Sequence, residues 1–191
     1  MKKRIGILFV CMLMLGFTAG CQNTKEISSK DKTVTVQDAR GKVEIPAQPK
    51  RIDLSGNSDI LSLLGYSVVG TANSDAYDYT VFPAYLKDTL QGAKILGYSM
   101  QDAMDIEGIL NLDPDLIIIS NVQEKMYEQL KEIAPTIMVQ LAQTDWRQDV
   151  NTFARMLQQE DRAASWLKSY DEKAKKAGAA VRKANGEDTT Y

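Results

Sequence analysis

The chain has 191 residues, 44% hydrophobic and 25% charged, the balance of a soluble globular protein long enough for one good core and at most two. Its 23 Lys and Arg stand against 25 Asp and Glu, so no nucleic-acid partner is expected, because phosphate binding needs concentrated basic side chains. No histidine is present, which removes the commonest general base and the commonest metal ligand. No Gly-rich phosphate loop or nucleophile elbow replaces it, so an enzyme is not expected.

The first element is a leader. Lys2, Lys3 and Arg4 are basic, Ile5 to Phe17 is an apolar run, and the small residues Thr18, Ala19 and Gly20 follow. This is the pattern of a secretory signal peptide over residues 1–20, and the run is shorter than the roughly 20 residues of a membrane span. Cleavage there removes Cys11 and leaves Cys21 without a partner, a reactive thiol unless it is modified. It also leaves 20 basic against 25 acidic residues, a balance of −5. The stretch Thr18-Ala19-Gly20-Cys21 resembles the lipobox of bacterial lipoproteins, with Thr18 where Leu is usual. The resemblance implies a diacylglycerol-bearing Cys21 as the first mature residue, anchored to a membrane surface by its acyl chains. Residues 21–32 have almost nothing apolar to bury and read as a tether.

The folded part begins with a hairpin: Thr33 to Gln37 alternates as a strand, Arg40-Gly41 turns, and Val43 to Ile45 is a second strand. From Arg51 the pattern is strand then helix, repeated. Ile52-Asp53-Leu54 is a strand. "SDILSLLG" is a helix with Ser58 as N-cap and Gly65 as its stop, and Val68 to Gly70 is the next strand. Residues 73–91 are irregular and rich in tyrosine. Lys94 to Gly97 is a strand, and Asp105 caps a helix with Ile106, Ile109 and Leu110 on one face. Leu116 to Ile119 is all apolar and suits a parallel strand covered on both faces. Val122 to Ala134 reads as one helix, stopped by Pro135, and Thr136 to Val139 as the last strand. Arg147 to Gln159 and Asp161 to Asn185 read as helices, the second about 37 Å long at 1.5 Å per residue. Its stripe Ala163, Ala164, Trp166, Leu167, Tyr170, Ala174, Ala177 is expected to pack, and its Lys-rich face to be solvated. Fold class follows: α/β, Rossmann-like, with a mostly parallel sheet.

Five stretches in order, "VEIPAQPKRI", "SDILSLLGYSVVG", "DIEGILNLDPDLIIIS", "YEQLKEIAPTIMV" and "DWRQDVNTFARMLQQEDRAASWL", resemble the substrate-binding lipoproteins of iron–siderophore ABC transporters, whose two lobes are joined by one long helix. The resemblance implies an N-terminal α/β ligand-binding lobe over residues 33–160, a bridging helix over residues 161–185, and residues 186–191 as the start of a second lobe that is absent. On that reading the chain is a fragment, and weak or absent siderophore binding by residues 1–191 alone is expected. Three features depart from the family: Asp53 stands where an apolar residue is usual, the loop from Gly97 to Asp105 is about two residues longer, and that loop lacks the Arg or Lys of some relatives.

Ligands of open α/β sheets bind outside the carboxyl ends of the strands. That rule selects loops holding Asn57, Tyr77, Tyr79, Tyr98, Met100, Asn121, Trp146 and Arg147, amphipathic side chains able to pack on a bulky chelate and hydrogen-bond to it. By resemblance, Tyr98 and Met100 match the family's ligand loop and Trp146 an aromatic of a later loop. Trp146 reads equally as packing under the Arg147 helix, and Tyr77 and Tyr79 as cover for the irregular segment. A ferric tris-catecholate would demand several cations, whereas these loops offer Arg147 among acids such as Asp75, Asp78 and Asp102. A hydroxamate or mixed hydroxamate–carboxylate siderophore fits better. The ferric siderophore is cargo, and neither a cofactor nor a directly bound metal is expected. By resemblance, Glu107 docks the lobe on an arginine of the ABC transporter permease; its plainer reading is a first-turn acid complementing the helix dipole. The implied partners are thus the permease, the siderophore and the membrane, with the protein a lipid-anchored, extracytoplasmic monomer. A haem-binding lipoprotein of the same fold, with Met100 as an axial ligand, is the alternative cargo reading, beside a chain that binds nothing.

Overall fold

The computed structural model describes residues 32–49, 52–54, 57–73, 78, 80–99, 101, 104–140 and 145–186. Strands β1 (Thr33–Gln37) and β2 (Lys42–Pro46) form the expected antiparallel hairpin, in register from Thr33 opposite Pro46 to Gln37 opposite Lys42. Five further strands, β3 (Ile52–Leu54), β4 (Val68–Asn73), β5 (Lys94–Tyr98), β6 (Leu116–Ser120) and β7 (Thr136–Val139), make one sheet in the order β5-β4-β3-β6-β7. Every pairing in it is parallel. The α/β expectation holds.

The alternation of side chains along β6 builds two cores from one run of apolar residues. Leu116 and Ile118 face a cluster with Leu61, Leu64, Val150, Phe153 and Ala163. Ile117 and Ile119 face the other way, onto Leu96, Ile109, Met126 and Leu130. The first layer therefore holds α1 (Ser58–Leu63), α4 (Trp146–Met156) and the start of α5 (Glu160–Asn185); the second holds α2 (Ile106–Leu112) and α3 (Tyr127–Leu130).

The hairpin closes the outer edge of β7. Asp38, 8% exposed, accepts the Arg40 and Gly41 N–H groups on Oδ1 at 2.8 Å each and the Met138 N–H on Oδ2 at 2.8 Å. The Ala39 N–H donates to the Met138 carbonyl at 3.0 Å, so the turn pairs with a strand edge that would otherwise offer free backbone groups. Arg40 then reaches across to Glu124 at 3.1 Å and lies 4.4 Å over the Tyr127 ring.

Four local expectations change. Asn57, not Ser58, occupies the N-cap of α1: the Leu61 N–H bonds the Asn57 carbonyl, and Ser58 is the first helical residue. The stretch read as one helix from Val122 to Ala134 splits into a 3-10 helix, Asn121–Met126, and the single turn α3, because a capping box between Ser120 and Gln123 tightens its start. Leu110 is 59% exposed; the buried face of α2 centres on Gly108 and Ile109, and Leu110 turns off its side. On α5 only Ala163 and Gly178 are buried among the described residues. Ala164, Tyr170, Ala174 and Ala177 are exposed, since α5 packs on α4 only along its first turns. At Asp53 the pairing of β3 with β4 skips a residue.

Candidate functional site

The strand order places a topological switch at the centre of the sheet. From β3 the chain steps outward to β4 and β5, then returns across β3 to β6 and β7. The connections leaving the carboxyl ends of β3 and β6 therefore diverge to opposite faces and open a crevice between them. Asn57 stands on one side of it, after β3. Ser120 ends β6 on the other side, followed by Asn121 and Gln123.

Asn57 is 7% exposed. It sits where an N-cap side chain would normally accept a helix N–H, yet it makes no such bond, and its Nδ2 has no hydrogen-bond partner among the described residues. A buried amide donor left unpaired costs roughly 1–3 kcal/mol, so this group at the crevice is an exception to ordinary packing.

Tyr98 closes β5, half-buried, opposite Asn73 of β4. Its placement depends on a bulge. Thr71 pairs with Ile95 and Ala72 with Gly97, so Leu96 is the extra residue, and Gly97 takes a φ of 150° that favours glycine. Without the extra residue Tyr98 would face the opposite side of the sheet. Beyond it, the Ser99 N–H donates to the Asn73 carbonyl at 2.9 Å and the Gln101 N–H to that of Tyr98 at 3.0 Å. Gln123, fully buried, joins this loop to the end of β6. Asn121 is exposed on the same rim. Tyr77, Tyr79, Met100 and Cys21 lie outside the described residues.

Trp146 and Arg147 begin α4, where Asp145 caps the Arg147 and Gln148 N–H groups at 2.8 and 3.1 Å. Trp146 packs edge-on against Trp166, with centroids 6.1 Å apart, and against Tyr170 at 5.0 Å; Trp166 and Tyr170 stack at 5.4 Å. The Arg147 guanidinium lies 4.3 Å over the Trp146 ring and donates to Asp171 at 2.6 Å. Trp146 thus packs and shows a face at once, remaining 40% exposed. Trp166, Tyr170 and Asp171 were legible only as part of a helix stripe or its polar side. Trp146 and Trp166 also edge a groove of about 510 Å³ over Ile60, Leu63 and Leu86. At the carboxyl end of β4 the cavity lined by Ser58, Thr71 and Asn73 holds about 50 Å³, room for a water or two.

Glu107 is exposed in the first turn of α2, the helix that follows β5. Asp105 caps that helix through the Gly108 N–H at 2.8 Å and pairs with Lys94 at 3.3 Å. The Gly108 N–H first, then Lys94, hold the Asp105 carboxyl below its usual range. A Cβ at Gly108 would fall against the Asp105 carboxylate and 2.8 Å from the Lys94 Nζ, so a side chain there would displace this capped pair. Among the described residues, no cluster of three or more acidic or cysteine side chains could hold a metal ion, and no helix is long and apolar enough to cross a membrane.

The sequence model of the Periplasmic binding protein family matches residues 55–191. The chain belongs to this family. Its members are substrate carriers, not enzymes. The chain is 32% identical over 196 residues to the iron(3+)-hydroxamate-binding protein FhuD of Bacillus subtilis (strain 168), an alignment covering 98% of this chain and 59% of that protein. It is 34% identical over 181 residues to the probable siderophore-binding lipoprotein YfiY of the same organism, covering 91% and 54%. The fold matches Staphylococcus aureus SirA complexed with staphyloferrin B at a TM-score of 0.62 and 32% identity, over 80% of this chain and 53% of that one. The chain spans 54% to 59% of the length of the two curated relatives.

Proposed function

We propose that this chain is the extracytoplasmic solute-binding component of an ABC importer for ferric siderophores of the hydroxamate or mixed hydroxamate–carboxylate type. The observation that carries the reading is the 32% identity to an iron(3+)-hydroxamate-binding protein in an alignment covering 98% of the chain, falling on a sheet whose switch point presents Asn57, a buried donor unpaired among the described residues. Charge supports the hydroxamate class. Arg147 is the cation of the crevice loops, and Asp171 already engages it, so a highly anionic chelate would find little compensation on this wall.

On this reading Asn57, Tyr98 and Asn121 contact the chelate from the rim, with Met100 in the connection after β5 and Tyr77 and Tyr79 in the connection after β4. Trp146 offers a flat aromatic edge, stacked on by an Arg147 whose charge Asp171 offsets. Residues 33–160 form the ligand-binding lobe and residues 161–185 a bridging helix. Glu107 docks on the permease, and Cys21 carries the lipid, in keeping with the lipoprotein name of a relative.

Both tryptophans of the chain lie in one aromatic cluster, on the groove over Ile60 and Leu63, so fluorescence reports on ligand that reaches that edge of the lobe. Titrating the protein from Cys21 onward with ferric hydroxamates is expected to give weak, saturable quenching, and ferric catecholates less. A response to catecholates alone, or a Soret band on adding haem with no hydroxamate quenching, would overturn the assignment.

A further inference from the structure

The described rim holds one side chain that is completely buried, fully hydrogen-bonded and used by neither core. Gln123 is 0% exposed. Its Oε1 accepts from the Ser120 N–H at 3.1 Å and the Ser120 hydroxyl at 2.7 Å. Its Nε2 donates to the Ser99 carbonyl at 2.6 Å and lies 3.4 Å from that of Gln101. The two ends of one amide thus perform different tasks. The oxygen closes the turn after β6, and the nitrogen grips a loop 22 to 24 residues earlier in the chain.

Topology makes that grip consequential. Strand β5 lies at the edge of the sheet, with β4 and β3 between it and β6, so no ladder bond can tie the loop after β5 to the loop after β6. Gln123 makes the tie instead. The carbonyls it reaches belong to the residues on either side of Met100, directly after Tyr98. Only glutamine combines the length, the paired acceptor and the two N–H donors that this span requires.

We propose that Gln123 is a positioning residue that sets the ligand loop after β5 by holding the Ser99 and Gln101 carbonyls against the end of β6. The proposal rests on the siderophore reading only for calling that loop a ligand loop; the clamp itself is a property of the fold. Its chemistry allows a clean separation. Gln123→Glu keeps the acceptor oxygen for Ser120 and removes both donors, setting a carboxylate against two carbonyls. Gln123→Ala removes both tasks.

The test is hydrogen exchange followed by mass spectrometry on the chain from Cys21 onward, reading the amides of Ser99, Gln101 and Asp105, which bond the carbonyls of Asn73, Tyr98 and Leu96. Gln123→Glu and Gln123→Ala are both expected to speed exchange there about tenfold, with peptides of β6 and β7 unchanged in Gln123→Glu. In parallel, quenching by ferrioxamine B, the probe, is expected to need about tenfold more ligand in Gln123→Glu. Unchanged exchange in both variants overturns the clamp, as does faster exchange in Gln123→Ala alone, which would leave only the turn-closing task. Quenching of the unaltered protein by ferrioxamine B bears on the siderophore reading alone, and the exchange result decides the clamp whether or not this length of chain binds the probe.

Discussion

Two buried polar side chains, one at the edge of the sheet and one at its centre, are handled in opposite ways. At the β7 edge, Asp38 is enclosed by three backbone N–H groups and seals the hairpin to the strand. At the switch point, Asn57 is equally buried and its amide nitrogen has no partner among the described residues. Burial of a polar group is tolerated when its bonds are made. The first residue therefore reads as architecture, and the second as a donor kept for something that arrives later.

Substitution is the way to break that contrast, and the largest effect is expected at the sealed margin. Asp38→Ala leaves three backbone donors without their acceptor and should lower stability by about 3 kcal/mol, measured as a shift in the urea midpoint. A change under about 0.5 kcal/mol would show that the hairpin is not held by this residue. Next comes the capped start of α2. Gly108→Ala improves helix propensity by about 1 kcal/mol, yet its methyl collides with the Asp105 carboxylate, so a net loss of about 1–2 kcal/mol is expected in the same assay.

Asn57→Ala sharpens the contrast from the other side. Because the side chain makes no cap bond and its buried nitrogen is unpaired among the described residues, stability should hold or rise by up to about 1 kcal/mol, while the ferric hydroxamate affinity falls about tenfold, or about 1.4 kcal/mol. Calorimetry and fluorescence titration separate the two; unfolding without an affinity change would make Asn57 architectural after all. The smallest effect is acid-linked. The Asp105 carboxyl is held below its usual range, so its contribution is present above the unfolded value of about 3.9 and is lost as pH falls through the lower folded value. Asp105→Asn should remove that part of the acid sensitivity, visible as a flatter stability profile below about pH 4. An unaltered profile would remove the carboxyl from the account.

Local patterns exposed most of this fold in the sequence, and long-range ones stayed hidden. The apolar run of β6, the Asp105 cap and the alternation in the hairpin are contained within a few residues, and each has one physical reading. The split between the 3-10 helix and α3 was hidden because it depends on Gln123 folding back onto Ser120, which helical periodicity does not encode. Trp146 was legible as an aromatic at a strand end. Its partners Trp166 and Tyr170 were read as part of a buried stripe, because the sequence does not say where α5 leaves the surface of the lobe. Glu107 sits exposed in the first turn of α2, a position at which the sequence reads both as a docking acid and as a complement to the helix dipole.

The Asp38 contact with Met138 spans 100 residues, and that distance has a kinetic meaning. The hairpin can form on its own within microseconds, but its docking site does not exist until β7 has joined the sheet. Sealing the edge is thus a late event of high contact order. Until it occurs, the growing sheet carries an open strand that another chain could join, so a variant that weakens Asp38 should aggregate during refolding at concentrations where its native form remains soluble.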